Sequence, residues 1–379
     1  MASLGLRRSP RDERLQAQRR QPFGLRRGFQ PIVLAMSVVT LAGCGGSSSG
    51  QVGASSGSGH SAEATPTATP GPIGVWSKTP YGINDPGSQV TAISCAAANF
   101  CAAVVNDGSA YTYSGHSWAL GKQLTVTGFN PVDLRAVSCP TTSFCMAVDA
   151  GNADGFAGGQ WTRGPDIDPS GGLTAVSCAT PAFCAAVTDH GSVYLYTGGA
   201  WSGATQLGAT GNQAVRLYSV SCPSTTFCMS VDDAGTAFTY SGGAWSAGTQ
   251  VDNDSPSTSG VLHTVSCSTA TFCIAMDVLS VFTYRNGSWS TGVQIGTQHG
   301  LVALSCTTDT FCAAVATGGY EFSYSGGTWS SGMQIDFRIN TDISAVPNQL
   351  NDLSSISCST SATCVAVDSD GNVFLDSPA

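Results

Sequence analysis

Charge is scarce in this chain. Of 379 residues only 10% are Asp, Glu, Lys or Arg, against 46 glycines. That balance suits a compact, turn-rich β protein better than a helical one. Cations become scarcer still beyond Cys44. Eight of the fifteen Lys/Arg precede it, as do only two of the 24 acids, Asp12 and Glu13, which leaves 7 positive against 22 negative side chains. A surface of formal charge −15 repels polyanions, which excludes nucleic acid as a partner. The apolar run 31–43 is too short for a comfortable membrane span. The five histidines are scattered and fall at no fixed repeat position. The chain shows no phosphate loop, no Ser/His/Asp signature and no metal-type histidine pair, and no cofactor or metal is expected.

What is present begins with a targeting segment. Arg7, Arg8, Arg11, Arg14, Arg19, Arg20, Arg26 and Arg27 form a positive n-region ahead of that apolar run, in the order of an export signal. The run ends Leu41-Ala42-Gly43-Cys44. This resembles the bacterial lipobox, whose cysteine is lipidated and becomes the first mature residue. The resemblance implies a signal peptide over 1–43, lipidation of Cys44 and anchorage at the extracytoplasmic side of the cell membrane. Residues 44–71 are mostly Gly, Ser, Ala, Thr and Pro. They cannot bury enough apolar surface to offset ordering entropy, so a flexible tether is expected there.

The remaining cysteines fall into seven pairs of one spacing. Cys95 goes with Cys101, Cys139 with Cys145, Cys178 with Cys184 and Cys222 with Cys228. Cys267 goes with Cys273, Cys306 with Cys312 and Cys358 with Cys364. Each pair marks a copy of one unit, clearest from Leu217 to Ser246. An extended run reaches Cys222 and Pro223–Thr226 turns the chain. A second run follows from Phe227, Asp232–Gly235 turns, Thr236–Tyr240 is a third strand, and Ser241-Gly242-Gly243 leads to a fourth at Trp245. Four short antiparallel strands, A to D, repeated at about 40 residues predict the blade of a β-propeller.

Spacing predicts how the ring closes. From the second Cys to the next Trp the distance is 16 or 17 residues in six copies, whereas Trp to the next Cys varies from 17 to 29. In the seventh copy the chain ends at Ala379, before a Trp is due. A spare Trp, Trp76, lies 19 residues ahead of Cys95 in the phrase Gly74-Val75-Trp76-Ser77. The N-terminal segment is therefore expected to supply strand D of the last blade and leave no open edge. The fold class is all-β, a seven-bladed propeller over 72–379. Cysteines six apart across a turn predict one disulfide per A–B hairpin, fixing its register, at roughly 2 kcal/mol each by loop closure.

Function is expected on the face carrying the B–C and D–A loops, because D–A lengths vary while the disulfide hairpins and Gly-rich C–D turns of the other face repeat. Candidate residues there are Arg216, Arg338 and Asp342, with aspartates near the end of strand B: Asp107, Asp149, Asp189, Asp232, Asp277 and Asp368. The aspartates predict either an acidic rim or β-turn acceptors, the turn reading being the stronger. The Tyr or Phe of strand C and the Trp of strand D recur in register and are expected to pack within and between blades.

The Asp–Gly–Trp rhythm loosely resembles the Asp-box repeats of sialidase-type propellers. That resemblance implies a propeller and, at its furthest, catalysis on glycans. The sequence departs from it where Gly235 and Trp245 stand ten residues apart, a longer gap than the Asp-box uses. The expected function is a monomeric, membrane-tethered, extracytoplasmic binding or scaffolding module. Its ligand would be a protein or glycan, and the alternative is a propeller enzyme acting on glycans or cell-envelope material.

Overall fold

The computed structural model describes residues 75–79, 82–83, 87–124, 133–208, 215–254, 260–296, 298–337 and 352–377. All of them belong to one compact unit, Pro66–Ala379. Cys44, Arg338 and Asp342 lie outside the described residues, as does the segment expected to form the tether.

Seven antiparallel sheets follow one another along the chain, each with strands in the order A-B-C-D. Blade 4 is representative: A is Leu217–Ser224, B Phe227–Asp232, C Thr236–Ser241, and D the pieces Ala244–Trp245 and Thr249–Gln250. The last blade is built from both ends of the chain. Val75–Lys78 pairs antiparallel with Val373–Ser377, and Trp76 stands opposite Asp376, so the expected strand closes the ring.

A blade has two faces and both are covered. Strand B of blade 4, Phe-Cys-Met-Ser-Val-Asp, is buried along its whole length. Its side chains alternate between two neighbours: Cys228 packs with Val187 and Val193 of blade 3, and Met229 with Val265 and Ala275 of blade 5. Period-two alternation separates a core from solvent in most sheets; here it separates one inter-blade core from the next. Seven apolar clusters result, one at each blade junction.

All seven expected disulfides form. Cys95 is bonded to Cys101, Cys139 to Cys145, Cys178 to Cys184 and Cys222 to Cys228. Cys267 is bonded to Cys273, Cys306 to Cys312 and Cys358 to Cys364. The sequence assigned them the register of a hairpin alone, but they are also core side chains. The second member of every pair is fully buried: Cys101, Cys145, Cys184, Cys228, Cys273, Cys312 and Cys364. The bridges pack against the preceding blade.

The serine just before each first cysteine points the other way. Ser221 Oγ accepts the N–H of Cys267 in the next blade at 2.9 Å. The same bond recurs at all seven junctions, closing with Ser357 to the N–H of Cys95. Strands A are thus stitched edge to edge by a ring of serines. Their small side chains allow the close approach that innermost strands need.

Candidate functional site

The B–C turns are built by their own polar side chains. Asp232 Oδ1 accepts the N–H groups of Ala234 and Thr236 at 2.9 and 2.7 Å. Asp149, Asp277 and Asp368 bind the corresponding amides of their turns, and all four are buried. Burial raises the pKa of Asp232 and Asp277 against the pull of those amides. Asp107 lies two residues further along and accepts from Ser109. A glutamine from strand D braces the same turns from outside: Gln206, Gln250 and Gln334 each donate to a turn carbonyl.

The turn-acceptor reading thus holds for five of the six aspartates, and their register and the weaker rim reading are corrected. The aspartates do not share one position. Only Asp149, Asp232, Asp277 and Asp368 end strand B in equivalent register; in blade 3 that place belongs to Thr188, whose hydroxyl accepts the N–H of Ser192 at 2.8 Å. Nor do the six form a charged rim, because five of the carboxylates are spent on their own turns. Asp189 is the exception. It is 40% exposed, and it faces His190 at 3.2 Å and Arg216 at 3.8 Å. Of the candidate residues, Asp189 and Arg216 are the pair the fold brings together.

Asp189 belongs to the part of the molecule that departs furthest from the repeat, the junction of blades 2 and 3. The loop 163–172 leads from strand D of blade 2 into strand A of blade 3. Arg163 bridges Asp149 at 2.5 Å and Asp154 at 2.7 Å and donates to Asn152. Asp154 stands where blade 4 has Phe238; burial pushes it up to about 6, opposed by the Gly164 N–H and the Arg163 guanidinium. Further along, Asp168 is buried and receives the hydroxyl of Ser170, the N–H of Gly172 and the Tyr194 hydroxyl. Burial would raise its pKa, but these bonds and nearby His190 hold it below the usual carboxylate value.

Ser170, His190 and Asp189 stand in the order of a nucleophile, base and carboxylate, with Ser170 Oγ 3.1 Å from His190 Nε2. The hydrogen bonding does not suit acyl transfer. The Ser170 hydroxyl donates to Asp168, and the amides of Ser170, Gly171 and Gly172 are all directed at Asp168 as well. None of these donors is left for an oxyanion. Among the described residues no group of three His, Cys, Asp or Glu is placed to hold a metal.

Beside this loop a cavity of about 590 Å³ opens between the blades. Phe144, Met146 and Ala153 form its floor. Gly155, Thr162 and Gly164–Ile167 of blade 2 form one wall, and Tyr196 with Gly199–Ser202 of blade 3 the other. One of its lining residues departs from the repeat. The strand C position of Gly155 holds Thr112, Leu195, Thr239, Thr283, Ser323 and Leu375 in the other blades. A Cβ at Gly155 would meet nothing nearer than Thr162 at 3.9 Å. Tyr196 and Trp201 line the cavity, half-buried like their counterparts Tyr240 and Trp245, with ring centroids 5.3 Å apart. At the rim stands Asp166, in the place five other blades give to glutamine. The two aromatics pack against the junction core as the sequence led one to expect, whereas Gly155 and Asp166 were passed over. The signal available was register: aligned on the Trp, blade 2 alone has Gly and Asp at these two positions.

The remaining expected features are structural. Arg285 lies on the opposite face, 4.5 Å over the Phe272 ring, with bonds to Asp309 O and Tyr324 Oη. The strand C ring packs on the strand D Trp in six blades at centroid distances of 5.3–5.5 Å.

No protein-family model matches the chain, and no curated protein matches it by sequence. Solved structures do match, and they are propellers. YCF48 bound to D1 peptide superposes with a TM-score of 0.58 at 13% identity, covering 80% of this chain and 97% of that one. The WD40 β-propeller domain of Doa1 gives 0.57 at 13% identity, covering 78% and 97%. The catalytically inactive H270A virginiamycin B lyase of Staphylococcus aureus with quinupristin gives 0.62 at 6% identity, covering 79% and 98%. At these identities the likeness is one of fold.

Proposed function

We propose that this chain is an extracytoplasmic binding module, held to the membrane by a lipid on Cys44, whose ligand is a polypeptide engaged at the junction of blades 2 and 3. One observation carries the reading. Several departures from the repeat gather beside one junction: the Arg163–Asp154 pair, the glycine at 155, and the exposed Asp166 and Asp189. Asp189 and His190 stand on its loop face, Arg216 reaches Asp189 from the entry to blade 4, and the cavity lined by Tyr196 and Trp201 opens on the adjoining flank. A repeating scaffold with one asymmetric patch suits recognition, and the donors around Ser170 are committed to structure. A polypeptide is favoured as partner because a propeller of this fold, YCF48, has been solved with the D1 peptide bound. The lipid anchor rests on Leu41-Ala42-Gly43-Cys44 and the basic segment before it.

The test is capture from envelope extract by the full chain in mild detergent, compared with the double variant Asp189→Ala with Arg216→Ala. A protease-sensitive partner retained by the wild type and lost by the variant supports the proposal. Equal capture by both, or a retained ligand that survives protease and yields to glycosidase, overturns it. Cys44→Ser should leave the precursor unprocessed or release it from membranes; unchanged mass and unchanged fractionation would remove the anchor.

A further inference from the structure

We infer that the cavity between blades 2 and 3 receives a lysine or arginine side chain of the polypeptide partner. The inference rests on the binding-module reading and specifies its chemistry.

Three features point to a cation. First, the wall made by Tyr196 and Trp201 presents aromatic rings to the opening, and ring faces attract ammonium and guanidinium groups. Second, Asp166 is exposed and lines the same opening, with its Oδ1 beside Gly151 of the B–C turn, and no hydrogen bond or ion pair from the described residues reaches it. In the regular blades a neutral glutamine occupies that place and bonds to the B–C turn, so Asp166 surrenders a structural bond and gains an unpaired charge. Third, the described residues supply no cation of their own to this opening. Arg163, the nearest guanidinium along the chain, is committed to Asp149 and Asp154 on the other side of the strand. Beyond Cys44 the side chains number 7 positive and 22 negative, a field that draws basic partners in. The apolar floor of Phe144 and Met146 suits the methylene stem behind such a charge. The cavity, about 590 Å³, falls in the range of ligand sites, roughly 300–1,000 Å³.

Glycine at position 155 makes the test clean. Its backbone is not in the left-handed region and a Cβ there enters open space. Gly155→Leu installs the residue blade 3 carries at Leu195 and narrows the cavity. Asp166→Asn removes the charge and keeps the shape. Labelled Gly/Ser peptides with one central lysine, arginine or norleucine are titrated against the full chain in mild detergent and followed by fluorescence anisotropy. The lysine and arginine peptides should bind at least about tenfold more tightly than the norleucine peptide. Asp166→Asn and Gly155→Leu should each abolish that preference while melting within about 2 °C of the wild type. A preference that survives either well-folded variant overturns the inference, as does norleucine binding equal to lysine, or no lysine-dependent binding up to about 10 mM peptide. If Gly155→Leu melts lower, Asp166→Asn alone decides. Should partner capture persist in both cavity variants yet fail in the double variant Asp189→Ala with Arg216→Ala, the cation site falls and the binding module stands. If capture is indifferent to all of them, the binding module itself falls.

Discussion

Blades 2 and 4 are built on the same four strands and spend their polar side chains differently. In blade 4, Asp232 holds the B–C turn, Gln250 braces it from strand D, and Ser246 accepts the N–H of Thr239 across the D strand. Each bond stays within the blade. In blade 2, Asp149 is shared with Arg163, Thr162 replaces the serine, and Asp166 replaces the glutamine. The strand D connection is instead held by the Arg163–Asp154 pair, inserted where blade 4 has an aromatic. Blade 2 has moved its internal support to Arg163, which pairs with both Asp149 and Asp154. Burying a charge pair to do the work of a phenyl ring gives little stability, so the exchange is not accounted for by the stability of the blade.

The largest expected effect separates the two regions at a glycine. A Cβ on Gly164 would lie 1.6 Å from the Ala153 carbonyl oxygen. That oxygen is backbone and cannot turn away, so Gly164→Ala should destabilise by about 4 kcal/mol or more. In blade 3, Gly203 has nothing within 4 Å of a Cβ, and Gly203→Ala should be within about 0.5 kcal/mol of neutral. Chemical denaturation of the two variants measures the difference. Equal costs would mean that blade 2 is no more tightly drawn together than the regular blades.

A smaller effect follows from acids placed at core positions. Glu321 occupies the strand C place that blade 4 gives to Ala237. Burial pushes it up to about 7, with the Asp376 carboxylate adding to the rise and Ser323 opposing it. Asp376 stands opposite Trp76 where other blades have Tyr or Phe, and burial raises it too. Both groups bind protons more tightly folded than unfolded. Their stabilisation is therefore complete below the unfolded value and is lost as pH rises through the folded one. For Glu321 the window runs from 4.5 to about 7, and the loss is up to about 3 kcal/mol. Melting temperature should fall across that window, and Glu321→Gln should flatten the slope. A slope unchanged in Glu321→Gln would place the titrating group elsewhere.

Legibility followed the range of each interaction. The period, the disulfides and the closing strand at Trp76 could be read because Cys and Trp recur at fixed spacing and each forms its contact within one blade. The serine ring could not. Ser221 bonds a backbone amide 46 residues away in another sheet, and nothing beside a serine in sequence reveals that. The cavity was equally hidden, since Gly155 is informative only when seven strands C are set in register against their Trp. The acidic rim failed for a third reason. Asp-x-Gly is a local pattern, but a shift of one residue decides whether a carboxylate points into its turn or out of it.

That one-residue shift supplies the last and smallest test. Thr188 and Asp232 occupy the same register and do the same work, the first with a hydroxyl and the second with a carboxylate. Both are buried. Asp232→Ala leaves two part-buried amides without their acceptor and Thr188→Val one buried amide, so costs of about 2 and about 1 kcal/mol are expected. Asp189 holds no amide of its turn and is 40% exposed, and Asp189→Ala should change stability by no more than about 0.5 kcal/mol. Denaturation midpoints of the three variants measure the order. If Asp189→Ala cost as much as Asp232→Ala, the carboxylate facing His190 and Arg216 would be holding the turn after all. The distinction between scaffold and recognition at this junction would then be lost. If it is neutral, Asp189 is the one aspartate of the six whose placement is explained by something outside its own blade.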